Sequence, residues 1–488
     1  MNGHGHGPLR VLHVAAEVYP LVKTGGLGDI AAALPAALQA QGVDARLLVP
    51  AYPEILDGIP DHALVAELGS VLGAARVRVL FGRLPDSGVP VYMLDAPWYF
   101  RRQGNPYLGA DGRDWSDNTR RFALLGWVGA QLAAGGVDLI WQADLLHAHD
   151  WHAGLAPLYL RTNPGHRVRS VFSIHNLAYQ GLFPLEQGAG LDLPAWALRP
   201  GGIEFYNQGS FMKGGLVCSD WLSTVSPRYA QEITTPAFGC GLEGVLFERR
   251  ERLTGILNGI DEAVWNPGSD HLLPASYGPY DLAGKAVNKQ RLQEMLGLHV
   301  DPSRPLAVMV SRLTDQKGAD LVLGALPWMR ELGLQFALLG SGEHGLQDAF
   351  VRAAHENPGD VAVRIGYDET LSHQLVAGGD MILVPSRFEP CGLTQMYGLR
   401  YGTLPVVRAV GGLADTVREY ESQGRPPNGF AFSRADVGDF SSALERAVGV
   451  WRDPGAWHWR VQQAMGCQHG WGPAGAEYLA LYRQVLAL

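Results

Sequence analysis

The chain has 488 residues, 47% of them hydrophobic and 18% charged, so it can build packed cores and carries too little charge for a largely disordered protein. Its length excludes a single small binding module and points to two large domains. Lys and Arg number 39 against 48 Asp and Glu, a formal charge of -9, which lacks the clustered positive field of a phosphate-backbone binder and excludes nucleic acid as the expected partner.

The N-terminal MNGHGHGPLR has neither the basic segment nor the apolar core of an export signal, and its His4 and His6 read as a tail rather than a metal site. From Leu9 the pattern is strand, glycine turn, helix and strand: PLRVLHVAAEV, KTGGLGD, IAAALPAALQAQG, VDARLLVP. Ile30, Leu34 and Leu38 form one apolar helix face and Gly42 stands at the C-cap position, which makes this a βαβ unit. Strand VPVYMLDAP, a helix ending near Gly135, strand DLLHAHD and strand VRSVFSIHN extend it. Apolar runs without clean alternation suit strands buried on both faces of a parallel sheet.

The second half restarts the same grammar. PLAVMVSRL, loop TDQKG, a helix ADLVLGALPWMREL that Pro327 is expected to distort, and strand QFALLGSG come first. Helix 344–357, strand VAVRIGY, helix 368–377 and strand DMILVPS follow, then loop RFEPCG, a helix through Tyr401, strand LPVVRAV and GGLADTVREY. Two doubly wound α/β domains are expected, hinged near LNGID (257–261), with their glycine loops on a shared cleft that takes the ligand. A last helical stretch, 474–488, could pack on either domain. No run approaches the ~18 apolar residues of a membrane span. Cys218, Cys240, Cys391 and Cys467 form no C-x-x-C pair, so a reducing cytoplasm is expected.

The 62 glycines and 31 prolines have no repeat period, so they mark turns, and the informative ones lie in chemistry-bearing loops. KTGGLGD lets backbone amides approach an anion at a helix N-terminus, with Lys23 adding a full charge, or it simply makes a tight connection. It matches neither the dinucleotide G-x-G-x-x-G nor the G-x-x-x-x-G-K-[ST] phosphate loop. HAHDWHAG and HNLAYQG end successive strands. Their histidines can serve as polar substrate contacts, as buried hydrogen-bonded groups or as metal ligands, and no glutamate supports a zincin-like spacing. Asp150 and His175 are the preferred contacts. SRLTDQKG places Arg312 and Lys317 in one loop, where two cations can neutralise a departing diphosphate or remain solvated charges. SRFEPCGLTQMYGLRYG places Glu389 before a helix, where a carboxylate can hold sugar hydroxyls while the amides of Gly392, Leu393 and Thr394 face phosphate; the alternative is an N-terminal helix charge. VGGLADTV adds a further glycine turn. Segment 96–118 interleaves Trp98, Tyr99, Phe100, Tyr107 and Trp115 with hydrogen-bonding groups, which suits either sugar stacking or core packing.

Seven of these motifs, KTGGLGD, HAHDWHAGLAP, FSIHNLAYQGLF, NGID followed by WNP, SRLTDQKG, EPCGLTQMYGLRYG and VGGLADTV, resemble in order and spacing the bacterial glycogen synthases and plant starch synthases, over about Val11 to Tyr482. The resemblance implies the GT-B architecture, two Rossmann-like domains facing a central cleft, with the C-terminal helix returning to the N-domain. The implied divisions are 1–253 for the acceptor-side catalytic domain, 254–468 for the nucleotide-sugar-binding domain and 469–488 for the returning helix. It implies a retaining glucosyltransferase that moves glucose from ADP-glucose to the 4-hydroxyl at the non-reducing end of an α-1,4-glucan such as glycogen, with no cofactor and no metal. By resemblance Lys23, with Gly25 and Gly26, binds donor, Arg312 and Lys317 hold the diphosphate, Glu389 sits near the transferred glucose and Cys391 is its companion. Asp150 and His175 resemble the N-domain active-site pair, and Glu17 and Asn258 further cleft residues. Tyr397 stands where many related transferases carry a second glutamate, as in the synthase subgroup. Ala409 and Val410 replace the Arg and Thr that some bacterial members have before GGL. The rival readings are a UDP-sugar transferase of the same fold, a phosphorylase, for which no pyridoxal phosphate lysine is evident, and a catalytically silent binding protein.

Overall fold

Short apolar runs followed by glycine turns become parallel strands that feed helices. The computed structural model describes residues 7–109, 111–163, 165 and 167–488, so His4 and His6 lie outside the described residues. The chain divides into two units. Unit 1 runs to Val225 and also holds Ala230–Ile256 and Trp471–Leu488; unit 2 comprises Ser226–Tyr229 and Leu257–Gly470.

In unit 1 the strands are β1 (Arg10–Val14), β2 (Asp44–Pro50), β3 (Ala63–Val71), β4 (Ala74–Arg83), β5 (Pro90–Asp95), β6 (Leu145–His149), β7 (Arg169–Ile174), β8 (Leu182–Pro184), β9 (Glu204–Phe205), β10 (Gln208–Ser210), β11 (Trp221–Thr224) and β12 (Leu253–Gly255). The main sheet has the order β12-β11-β7-β6-β1-β2-β5-β4-β3, while β8, β10 and β9 form a small antiparallel sheet. Its strands are parallel except at the β3–β4 and β4–β5 pairs. The order reverses between β1 and β6, so the loops leaving these two strands, which carry KTGGLGD and HDWHAG, emerge side by side at a switch point.

The β3–β4 hairpin has no counterpart in the sequence reading. It turns on Leu72 and Gly73, both with positive φ, a two-residue turn of the kind usually announced by Asn-Gly, and β3 is exposed or half-buried throughout. Helices Ala283–Leu296, Val437–Trp451 and Pro454–Met465 are likewise additional.

Helix Trp471–Leu486 settles the placement of the C-terminal segment: it packs on unit 1. Tyr478, Tyr482 and Val485, all fully buried, join Val11, Ile30, Leu34 and Leu38 in one apolar cluster. Gln41 donates to the Gly472 carbonyl at 3.2 Å.

In unit 2 the strands are β13 (Leu306–Val310), β14 (Gln335–Gly340), β15 (Val361–Ile365), β16 (Met381–Val384), β17 (Leu404–Arg408) and β18 (Phe430–Phe432). All pair in parallel in the order β15-β14-β13-β16-β17-β18. This is the doubly wound 3-2-1-4-5-6 order, with its switch point between β13 and β16. The loops SRLTDQKG and SRFEPCG leave those two strands. Helix Ala319–Glu331 continues through Pro327 as one element.

Candidate functional site

In unit 1 the chain leaving β1 folds back on Glu17, which is 2% exposed. The Glu17 carboxylate accepts from Thr24 N at 2.6 Å, Thr24 Oγ1 at 2.5 Å and Gly25 N at 3.4 Å, and from the Tyr107 hydroxyl. Glu17 thus clamps the glycine loop to the aromatic segment. Lys23 Nζ sits 2.9 Å from Asp29 Oδ1 with its side chain 41% exposed. A Cβ added at Gly25 or Gly26 would meet nothing within 4 Å, so protein packing does not require glycine at either position. What the two glycines leave is open space in front of the helix Gly26–Gln39 N-terminus. Beside it lies a pocket of about 260 Å³ lined by Lys23, Thr24, Arg102, Asn105 and Trp115 among others. Trp115 carries the Arg102 guanidinium 5.0 Å from its ring centre, Tyr99 and Phe100 are buried, and Trp98 is 77% exposed.

Past β6, Asp150 adopts φ 60°, ψ -179°, a region that is essentially glycine's own and costs a side-chain residue about 1–3 kcal/mol. Its Oδ1 faces His175 N at 3.4 Å. Burial pushes the Asp150 carboxyl up to about 7; the N–H groups of Asn176, His175 and Trp151 pull it back, and the Glu17 charge adds to the rise. A buried, strained carboxylate poised near neutrality at a switch point makes Asp150 a candidate site residue.

His175 is the end of a chain of rings. His13 Nδ1 lies 3.0 Å from His149 Nε2, and His149 Nδ1 lies 3.0 Å from His175 Nε2. His147 spends both nitrogens on Tyr482 OH at 2.7 Å and Ser173 Oγ at 2.6 Å. Burial holds His13 and His175 down to about 3, so all of these rings are neutral. In a neutral chain each ring donates once and accepts once, so all the links share one direction. His175 Nδ1 is buried and without a partner among the described residues. His13, His147 and His149 lie close enough to be a metal group, but His13 and His149 bond each other, His149 also bonds His175, and His147 bonds Tyr482 and Ser173, with His13 Nε2 alone of their nitrogens lacking a partner among the described residues.

In unit 2, Lys317 Nζ lies 2.6 Å from Glu389 Oε2, which also accepts from Ser386 Oγ at 2.9 Å. Gly318 makes this possible: its φ is +66°, and a Cβ there would stand 2.3 Å from the Pro385 carbonyl oxygen. Arg312, exposed, has no carboxylate partner among the described residues. The N–H groups of Gly392, Leu393 and Thr394 meet no acceptor among the described residues, and helix Thr394–Arg400 follows. Cys391 is buried, and burial pushes its thiol up to about 12; the Asn258 N–H pulls it down, and the charges of Glu389 and Asp415 push it up again. It is therefore a packed thiol beside Glu389 and not a nucleophile. The Asn258 Oδ1 is buried without a partner among the described residues. Gly412 donates to the carbonyls of Glu389 at 3.2 Å and Pro390 at 3.1 Å, so the VGGL turn supports the Glu389 loop from behind.

Among the expected residues, Glu17, Lys23, Gly25 and Gly26 gather at one loop of unit 1, Asp150 and His175 at the neighbouring strand ends, and Lys317, Glu389, Cys391 and Asn258 in unit 2. His149 and Tyr107 were weighed only as members of HAHDWHAG and of the aromatic segment, and Thr24, His13 and Ser386 were not singled out, because they acquire these partners through tertiary contact alone.

Two family profiles match the chain: the starch synthase catalytic domain over residues 10–248 and glycosyl transferases group 1 over 297–450. The glycogen synthase of Serratia proteamaculans is 50% identical over 482 residues, 98% of this chain and 100% of that protein. That of Paramagnetospirillum magneticum is 49% identical, with 98% of each chain covered. The catalytic domain of starch synthase IV from Arabidopsis thaliana, solved bound to ADP and acarbose, superimposes with a TM-score of 0.88 at 33% identity, covering 99% of this chain and 100% of that one. With two doubly wound units, switch-point loops bearing the expected residues and half the sequence shared over almost its full length, the chain belongs to the glycogen and starch synthase family of GT-B glycosyltransferases.

Proposed function

We propose that the chain transfers glucose from ADP-glucose to the non-reducing-end 4-hydroxyl of an α-1,4-glucan with retention of configuration, releasing ADP, as a cytoplasmic glycogen synthase. The observation that carries this reading is the Lys317–Glu389 pair in unit 2, beside three backbone N–H groups that lack protein acceptors. Lys317 and the amides of Gly392, Leu393 and Thr394 supply positive potential for a diphosphate, and Glu389 orients the hydroxyls of the glucose to be moved. Arg312 and Lys23 add cations. The ADP and acarbose, a sugar-like compound, of the Arabidopsis structure are the right classes of ligand for these roles.

In the step itself the bond between the anomeric carbon and the ADP oxygen breaks, and negative charge grows on the diphosphate while the sugar takes on oxocarbenium character. Arg312, Lys317 and Lys23 stabilise the former. The glucan 4-hydroxyl attacks from the same face, and its proton passes to the departing phosphate oxygen. Asp150 and His175 Nδ1 position sugar hydroxyls in unit 1. Cys391, held as a thiol, packs beside Glu389 and takes no part in bond making.

The test is an assay offering ADP-glucose or UDP-glucose with glycogen, scoring both nucleotide release and label in polymer. Label incorporated from ADP-glucose, with loss of turnover in Arg312→Ala and Lys317→Ala, is the expected result. Incorporation only from UDP-glucose, or binding without turnover, would overturn the reading.

A further inference from the structure

A second pocket lies at the strand-start end of the unit 1 sheet. With a volume of about 670 Å³, it is lined by Arg161, Arg167, Arg169, Arg249 and Arg252 around one carboxylate, Asp220. Arg161 lies in the helix Ala156–Thr162, Arg169 opens β7, and Arg167, Asp220, Arg249 and Arg252 precede β7, β11 and β12, whereas the glycine loops follow the strands. Along β7 alone, Arg169 and His175 are six residues apart, roughly 20 Å, so this pocket is distinct from the transferase site.

Its one carboxylate is already committed. Asp220 Oδ1 pairs with Arg169 Nη1 at 3.2 Å, and Oδ2 accepts from Ser170 N at 2.8 Å and Ser170 Oγ at 3.1 Å. Arg249 donates to the carbonyls of Leu216, Ser219 and Asp220, and Arg161 to that of Val217. Capping of helix ends accounts for those two arginines. It does not account for Arg167 and Arg252, both exposed and without a carboxylate partner among the described residues, or for five guanidiniums converging in a protein of charge -9. Burial lowers the Arg249 pKa, and the neighbouring charges of Arg252 and Arg161 lower it further. Asp220 offsets only part of this like-charge crowding, and a bound anion would relieve the remainder.

The lining holds no aromatic ring, so it offers nothing for a glucan to stack on. Its volume is in the range of roughly 300–1,000 Å³ typical of small-molecule sites, and five guanidiniums against one carboxylate suit more than a single phosphate. We propose that this pocket binds a small molecule carrying two phosphate groups, each held by paired guanidinium donors.

Titration calorimetry on the full chain tests this with three probes: inorganic phosphate, inorganic pyrophosphate and glucose 1,6-bisphosphate. Saturable binding of one pyrophosphate or one bisphosphate is expected, with inorganic phosphate about tenfold weaker or more. Preference between the two diphosphate probes identifies the source as inorganic or sugar-borne. Arg252→Glu and Arg167→Glu, both at exposed positions, should each weaken binding by about tenfold or more, while Arg252→Lys, which keeps the charge and loses the paired donors, should weaken it less than Arg252→Glu. Glucosyl transfer is expected to persist in these variants, so a failed transferase assay and a failed titration remain separate results. No saturable binding, equal affinity for phosphate and pyrophosphate, or binding that survives both Glu variants yet disappears in Arg312→Ala would overturn the proposal.

Discussion

Replacing Asp150 by glycine should stabilise unit 1 at alkaline pH while abolishing turnover. Two structural terms set the size. Glycine adopts φ 60°, ψ -179° freely, which removes a strain of about 1–3 kcal/mol. The second term is charge: the carboxyl sits at about 7 in the fold against about 3.9 in an unfolded chain. Between about pH 4 and 7 the folded protein therefore retains a proton that the unfolded chain has released, and its stability falls as pH rises through that window. Above it the burial of the charge costs about 4 kcal/mol, which Asp150→Gly removes. Against these gains stand the N–H groups that lose their acceptor, at about 1–3 kcal/mol. The net expectation is a gain of about 4 kcal/mol at pH 8, a melting temperature higher by roughly 8–16 °C, and almost no change at pH 4. Asp150→Asn removes the charge and keeps the strain, so it should gain less than glycine at pH 8. Asp150→Ala separates the strain term by its difference from glycine. Thermal melts of all four proteins at pH 4, 6 and 8, with kcat measured in parallel, decide the matter; kcat should fall by about 100-fold or more in each variant. Equal stability of the Gly and Ala variants would refute the strain argument, and a pH-independent difference between parent and Asn variant would refute the charge argument.

Two further outcomes follow from the loops. Lys317→Met leaves the buried Glu389 carboxylate with Ser386 as its hydrogen-bond donor; because the lysine side chain is 21% exposed, the cost in urea unfolding should be about 2–3 kcal/mol, below that of a fully buried pair. The double variant Lys317→Met, Glu389→Gln should recover much of it, and simple additivity would contradict the pairing. Gly25→Ala should leave stability within about 0.5 kcal/mol, since its Cβ enters open space, yet weaken ADP binding by about tenfold; unchanged ADP affinity in calorimetry would reduce that loop to a mere connection.

The contrast between the two GGL turns shows where a sequence stops being readable. Both follow strands and precede helices, and both looked like candidates for ligand contact. At Gly25 and Gly26 an added Cβ meets nothing, whereas at Gly411 and Gly412 it would stand 2.0 Å from the Glu389 carbonyl oxygen and 2.1 Å from that of Cys391. One pair leaves room for a ligand; the other lets backbone approach backbone. The alternating strands and helices were legible because the apolar period of each element is written along the chain itself. Convergence is not written there. HAHDWHAG carries no mark of the positive φ at Asp150, and the His13–His149–His175 chain exists only because β1 and β6 are neighbours and β7 lies beside β6. The arginines from 161 to 252 show the same limit for charge. A net charge of -9 records the excess of carboxylates over cations and says nothing about five guanidiniums that a helix and three adjacent strand ends bring around one carboxylate. Electrostatic function depends on local density, which the fold creates by folding distant segments together, so the total charge of a chain is a poor guide to the anions it can hold.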